Sequence, residues 1–455
     1  MTSFLGRRYE VEAKLSEGAF GVVLRVRCSS EPGAPPLAAK VFEEEEWVSL
    51  SDDEEETTAS PTALRELSFM QALTAAAAPR CVPLLDFDFA LGDYLALVLF
   101  MPLYAGDLSD ALRDERLDAA QRLAVGCDVL RALAFLHGCS PPIAHRDVKP
   151  ENVLLDEKQR GFLTDFSFAC FAPQDFRMPP ARPERSRRSP RRRARPRAAW
   201  LRCGGRLCRR RGRAGTPSSG SGGSDSSSSS SDPEHSGVLG TTTYLAPEVL
   251  EGAFPHASAD AWAAGVLLLE LLEHARLDAD SDEEALRLLR KKRARLDDGL
   301  LLQRLLRGLL QEDPLRRLAT ADALAQLRAA GLPAAAEDPE EPRPAVFAPR
   351  GPAAASPETE ALCRELRAVN PETARAAELY RREAPELDAR ALAVIAAKVH
   401  EHRPRSDEGL VASAGVDVDA LEEAQEALLR RLGGSLLARR PLVAPGPCDD
   451  QPVRL

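Results

Sequence analysis

The sequence predicts an α+β chain that ends in a small bundle of helices. Leu15-Ser16-Glu17-Gly18-Ala19-Phe20-Gly21-Val22-Val23 reads as a strand, a glycine turn and a second strand, an arrangement whose backbone N–H groups can cradle phosphate. Asp260-Ala261-Trp262-Ala263-Ala264-Gly265 opens a long apolar helix. Beyond residue 356, Leu362, Leu366 and Val369 recur at helical spacing, as do Val418, Leu421, Leu428 and Leu432. At 455 residues and 44% hydrophobic content, the chain has room for two or three domains with cores of their own.

In chain order, Lys40 follows the glycine turn in Leu37-Ala38-Ala39-Lys40 and reads as a strand residue. An acidic run, Glu43 through Glu56, then separates it from a helix, and such a run reads as a solvated loop. Ser60-Pro61 places a capping residue and a first-turn proline before Thr62-Ala63-Leu64-Arg65-Glu66-Leu67. The longest apolar run, about Leu95 to Leu103, is too short for a bilayer, which needs about 20 residues. Polar loops follow at His145-Arg146-Asp147-Val148-Lys149-Pro150-Glu151-Asn152 and Asp165-Phe166-Ser167, and later Gly240-Thr241-Thr242-Thr243-Tyr244-Leu245-Ala246-Pro247-Glu248 and Asp313-Pro314-Leu315-Arg316-Arg317.

These stretches, in this order over about residues 9–330, resemble the serine/threonine protein kinases. The resemblance implies a bilobal kinase fold: an antiparallel-sheet lobe with one helix to about residue 100, and a mainly helical lobe to about 330. ATP would lie between them, against Gly18, Gly21, Val23, Ala38 and Lys40 and a hinge near Met101 to Tyr104. The resemblance further implies Asp147 as the base that accepts the substrate hydroxyl's proton, and Lys149 and Lys40 on phosphates. Glu66 would be the ion-pair partner of Lys40, and Asn152 and Asp165 the ligands of Mg²⁺. It pairs Glu248 with Arg317, sets Asp260 to brace the catalytic-loop backbone, and sets Thr241 against Asp147 and Lys149. Two positions depart from the family: Ser16 and Ser167 each stand where it carries glycine, and serine has less backbone freedom.

Ser60 to Leu67 is similar to the PSTAIRE helix of cyclin-dependent kinases, on which a cyclin presses. Other signs of that subfamily are missing: Leu245 and Cys170 stand where arginines are usual, and 270–313 is short for its insert. Arg65 and Arg146 remain and are expected to gather a phosphate, with Ser236 or Thr242 as acceptors. After a Pro/Ala-rich linker (331–356), Ser356-Pro357 and Asn370-Pro371 mark helix starts. Ala391 to Ala397 is apolar on every side, as a helix enclosed by others would be. The stretch 391–401 is similar to the central helix of a cyclin box, with Lys398 at that family's lysine and Gln425 where it has glutamate. Residues 357–440 are therefore expected to form a cyclin-like activator within the chain, an unrelated regulatory bundle, or a purely structural appendage.

The net charge of −10 hides a segregation. Between Arg177 and Arg213 sixteen arginines stand against one acid, Glu184, which leaves the rest of the chain with 44 basic and 69 acidic side chains. Gly/Ser repeats follow through Ser231. The segment 172–237 is expected to be a disordered insertion inside the kinase activation segment. Extending a loop of about 24 residues to the 83 between Asp165 and Glu248 costs only about 1 kcal/mol in closure entropy, so the insertion is compatible with a folded kinase. It reads as a nuclear-targeting or RNA-associated tract with weak, non-specific RNA contact, as a regulatory lid, or as translated non-coding sequence. Cys203 and Cys208 lack zinc-site spacing. Nine scattered cysteines and no N-terminal signal segment point to an intracellular protein of nucleus or cytoplasm, without a membrane anchor. The expected partner is a protein bearing Ser or Thr. The rival reading is a catalytically silent scaffold that binds partners or RNA.

Overall fold

The computed structural model describes residues 8–18, 21–31, 33–42, 61–88, 97–172, 242–251, 256–277, 279, 281–332, 344–350, 355–366, 371–400, 415–416, 418–432, 436–437 and 439–442. Strands β1 (Tyr9–Gly18) and β2 (Gly21–Cys28) form a hairpin closed by Gly18 opposite Gly21. With β3 (Leu37–Val41), β4 (Asp86–Asp88) and β5 (Val98–Pro102) they make an antiparallel sheet of order β1-β2-β3-β5-β4. Val22, Leu24 and Val26 alternate toward the buried face, the period of two that fixes register. Gly21 has a positive φ of 124°, and a Cβ there would lie 2.0 Å from the Val41 carbonyl oxygen. Only glycine fits that approach of the turn to β3. Ser16 sits within β1 opposite Val23, beside an irregularity in the pairing.

Against this sheet lies α1 (Pro61–Ala75). Every residue from Ala63 to Met70 is buried, Arg65, Glu66 and Ser68 included. A helix with only one covered face keeps a polar stripe, so α1 must be enclosed on a second side.

The larger lobe begins with β6 (Gly106–Asp107) and α2 (Leu108–Arg113), the latter capped by Asp107, whose side chain accepts from Asp110 N. Next comes α3 (Ala119–Gly138), which opens with a capping box of Asp118 and Gln121. Strands β7 (Ile143–Ala144) and β10 (Cys170–Phe171) pair, and β8 (Val153–Leu155) and β9 (Gly161–Leu163) join β6. Between these short strands hang the loops that carry the two polar motifs. Helices α4 (Pro247–Leu250), α5 (Ala257–Glu273), α6 (Asp282–Ala294), α7 (Leu301–Leu309) and α8 (Thr320–Ala329) complete the lobe. Nearly all of α5 is buried, as its apolar composition predicts.

All four helical signals in the C-terminal region are helices: α9 (Pro357–Glu365), α10 (Pro371–Glu383), α11 (Ala389–His400) and α12 (Val418–Arg431). Ser356 caps α9 by accepting from Thr359 N. Leu366 forms the end of α9, so the helix stops short of Val369, which lies outside the described residues. The expected linker is not structureless throughout. It holds β11 (Val346–Pro349), antiparallel to β12 (Arg439–Leu442), with Phe347 opposite Pro441. Phe347 is buried against Phe171, with ring centroids 5.4 Å apart, and its N–H donates to Ser140 O.

One continuous apolar core takes in Phe69 of α1, Phe166, Phe347, Tyr380 of α10 and Ile395 of α11. The acidic run 43–56 and the insertion from 173 onward lie outside the described residues. Among the described residues, no helix is long and apolar enough to cross a membrane.

Candidate active site

The residues singled out from sequence meet where the sheet, α1 and the β7–β10 loops converge. Lys40 is directed by β3, opposite Val23 on one side and Leu99 on the other. Its Nζ donates to Glu66 Oε2 at 2.6 Å and stands 3.6 Å from Asp165 Oδ1. Glu66 is 1% exposed at its side chain, so this pair is held away from water. Ala38 is buried and opposite Met101, Val23 is half-buried, and Tyr104 follows the end of β5. Gly18 and Gly21 close the hairpin at the same end of the sheet as Lys40's neighbour Val41.

Asp147 and its neighbours form a second group. Lys149 Nζ donates to Asp147 Oδ2 at 2.8 Å, and Asn152 Nδ2 donates to Asp147 Oδ2 and to its carbonyl oxygen, both at 2.8 Å. The loop requires a left-handed residue at Arg146 (φ 74°), and Asp260 supplies the restraint. Its carboxylate accepts from His145 N at 2.7 Å and from Arg146 N at 2.8 Å, as expected from the sequence. His137 was not foreseen: its Nε2 lies 3.0 Å from Asp260 Oδ2 and its Nδ1 3.0 Å from Thr320 Oγ1. Burial works to raise the Asp260 carboxyl, but His137, His145 and the Arg146 N–H outweigh it and hold the group below the usual carboxylate range.

Asp165 has φ 63°, so the left-handed residue of Asp165-Phe166-Ser167 is the aspartate, and Ser167 lies outside that region. In this conformation the backbone at 167 does not call for glycine. Ser167 Oγ donates to Asp165 Oδ1 at 2.6 Å. Burial would raise the Asp165 carboxyl, but the Lys40 charge, the Ser167 hydroxyl and the charges of His145 and Lys149 together keep it below the ordinary range. It is thus an anion at neutral pH. Phe166 is fully buried, edge-on to His145.

Farther from the cleft, Arg317 grips Glu248 through two bonds, NH1 to Oε1 at 2.6 Å and NH2 to Oε2 at 2.8 Å, the pairing expected from sequence. Thr241 lies outside the described residues, as does Ser236. Arg65 and Arg146 do not stand as an open phosphate pocket. Arg146 NH1 donates to Phe168 O, and Arg65, 2% exposed, donates to Ser167 O, Lys398 O and Val399 O.

A buried Lys–Glu pair, a carboxylate anion beside it and an Asp–Lys–Asn group on the neighbouring loop are the arrangement expected from the kinase resemblance. Residues 9–181 match the protein kinase domain family, and the chain has its bilobal α+β fold. Similar proteins include a probable LRR receptor-like serine/threonine-protein kinase of Arabidopsis thaliana, 40% identical over 85 residues (18% of this chain, 10% of that one). Another is a receptor-like serine/threonine-protein kinase of the same plant, 31% identical over 160 residues (34% and 22%). A third is its calmodulin-binding receptor-like cytoplasmic kinase 1, 43% identical over 67 residues (14% of each). The chain thus spans between 10% and 22% of the length of these curated relatives.

The donors fit a magnesium nucleotide. Asp165 brings an anionic carboxylate. Asn152, whose Nδ2 is committed to Asp147, brings an amide oxygen. An all-oxygen set of one or two protein ligands, completed by phosphates and water, is what Mg²⁺ takes.

Proposed function

We propose that this chain is an ATP-dependent protein serine/threonine kinase. The observation that carries the reading is the Lys40–Glu66–Asp165 cluster at 2.6 and 3.6 Å beside the Asp147–Lys149–Asn152 group. A chain that kept only the fold would have no reason to hold three carboxylates, two ammonium groups and an amide in one cleft. Asp165 and Asn152 would hold Mg²⁺, which would supply charge neutralisation on the nucleotide phosphates. Lys40, fixed by Glu66, holds the α- and β-phosphates, with the adenine between Val23 and Ala38 and its edge toward Met101 to Tyr104.

Asp147 orients a substrate Ser or Thr hydroxyl and takes its proton as the hydroxyl oxygen bonds the γ-phosphorus and the bond to the β-phosphate oxygen breaks. Lys149 offsets charge on the moving phosphoryl group. Positioning and electrostatics are the whole of this catalysis. Asp147→Asn is expected to abolish phosphotransfer to a Ser/Thr peptide while ATP binding stays near wild type. Asp165→Asn is expected to weaken binding of the magnesium nucleotide as well. Wild-type turnover by either variant overturns these roles, and a wild-type chain with no metal-dependent transfer favours the scaffold reading.

The finer reading is that the C-terminal bundle activates the kinase from within the chain, as a cyclin does in trans. What supports it is the second covered side of α1: Arg65 bonds Lys398 O and Val399 O at the end of α11, and Leu436 N donates to Ser68 Oγ at 3.2 Å. Lys398 is fully buried in α11 and Gln425 is buried in α12. Packing on this helix fixes Glu66 against Lys40, the arrangement that catalysis needs. Lys398→Glu is expected to lower turnover, and a soluble K398E chain with full activity removes the bundle from this role.

A further inference from the structure

Ser167 stands where the kinase resemblance expected glycine, and its hydroxyl is not idle. Oγ donates to Asp165 Oδ1 at 2.6 Å, and Lys40 Nζ approaches the same oxygen at 3.6 Å. These contacts, and a longer one from Ser167 N at 3.4 Å, all fall on Oδ1. Among the described residues, Oδ2 is then the oxygen that remains for a cation. A carboxylate turned this way presents one defined oxygen instead of rotating about its Cβ–Cγ bond, and a glycine or alanine at 167 would keep only the longer backbone contact, Ser167 N to Oδ1 at 3.4 Å.

Ser167 is in turn held from behind. It is fully buried, and its carbonyl accepts from Arg65 NH1 at 3.4 Å. The other donors of that guanidinium, Nε and NH2, each reach 3.1 Å to Val399 O and Lys398 O, in the last turn of α11. One buried arginine therefore joins the C-terminal end of α11 to the residue that orients the metal-binding carboxylate. Arg is suited to this because its fork is planar and carries five donors in fixed directions. The two ends of this path are 230 residues apart in sequence or more, and no single element spans them.

We propose that Ser167 is the positioning residue for Asp165, and that Arg65 couples it to α11, so that the C-terminal bundle sets the affinity of the site for the metal nucleotide. This rests on the kinase reading and adds to it a route by which the bundle reaches the metal site, separate from its support of Glu66. The step involves no covalent change: Ser167 lends a hydrogen bond, and Arg65 fixes the backbone that carries it.

The test uses the full chain and measures ADP binding by calorimetry, in EDTA and then across a Mg²⁺ titration. In S167A the Mg²⁺ concentration for half-maximal ADP binding is expected to rise about tenfold, the size of one charge-assisted hydrogen bond, with metal-free ADP binding unchanged. S167G is expected to match S167A, since it lacks the same hydroxyl. R65K, which keeps the charge but not the fork, is expected to shift the metal titration in the same direction, and S167A/R65K to shift it no further than S167A alone. Wild-type metal dependence in S167A, tighter binding in S167G, or full additivity in the double variant overturns the assignment. A wild-type chain whose ADP binding ignores Mg²⁺ overturns the kinase reading itself, which separates the two failures.

Discussion

Replacing Asp260 by Asn removes one negative charge from the floor of the catalytic loop while keeping the side chain's shape. The wild-type carboxylate accepts three bonds: Arg146 N at Oδ1, and His145 N and His137 Nε2 at Oδ2. An amide has one accepting oxygen. If it serves Arg146, both bonds at the second oxygen are lost, and the amide N–H₂ meets the His145 N–H donor head-on. Hydrogen bonds to a charged group contribute about 1.5–3 kcal/mol each, and the opposite amide orientation loses the Arg146 bond alone, so the variant is expected to lose about 1.5–6 kcal/mol of stability. It also releases Arg146 from its left-handed backbone (φ 74°), which displaces Asp147 next to it. A displacement of about 1 Å at a reacting group costs about a hundredfold in rate, so kcat should fall by about that factor while KM for ATP changes little. Because the Asp260 carboxyl is held below its unfolded value, it contributes stability above the ordinary carboxylate pKa that is lost as pH falls through its folded value. In D260N that part of the acid limb should be missing. Urea unfolding at several pH values and steady-state kinetics measure both effects. A variant within about 1 kcal/mol of wild type, with an unchanged kcat, refutes the bracing role.

Other expectations follow from the same contacts. Arg317→Met leaves Glu248 buried without its partner and should cost about 3–5 kcal/mol, and the double variant with Glu248→Gln should cost less than the sum of the two; a thermal shift series decides. Phe347→Ala empties a site between β11 and Phe171 and should cost about 3–5 kcal/mol, read as earlier proteolysis near residue 347; unchanged resistance counts against β11 as a structural strand. His400 is buried on α11, and burial lowers its pKa to about 4, with Arg65 and Arg439 acting the same way against Glu372 and the Leu436 carbonyl. Its neutral form is the folded one, so the stability it contributes is present above the unfolded value near 6.5 and is lost as pH falls toward 4. His400→Gln should flatten the unfolding curve over that range, and an unflattened curve argues against the effect.

What could be read from sequence was what lies close together in sequence. Asp147, Lys149 and Asn152 share one loop of eight residues, and the resemblance to kinases carried by that loop implied their roles, as it implied the pairing of Glu248 with Arg317. Groups recruited across the fold from outside that family pattern were invisible. His137 supports Asp260 from the end of α3, and its type and spacing carried no signal of that. Arg65 was expected to meet phosphate and instead meets carbonyls more than 300 residues away. The strand β11 was missed because a four-residue segment in a Pro- and Ala-rich stretch has little preference of its own, and its stability comes from β12, nearly a hundred residues on. A signal for the second covered side of α1 did exist. The run from Ala63 to Leu73 carries few polar residues for a helix with one face in water, and that shortage points to a partner on the far side.

The pairing of β11 with β12 also fixes how the bundle can behave. The strand before the helices and the strand after them are joined to each other, and the first of them is bonded to Ser140 ahead of the catalytic loop. Both ends of the helical region are therefore anchored at one place, with α11 against α1 between them. A helical region held in this way meets α1 without an association step. Whatever this contact contributes to specific activity is therefore expected to be the same at nanomolar and micromolar protein, because its effective concentration is set by the chain itself.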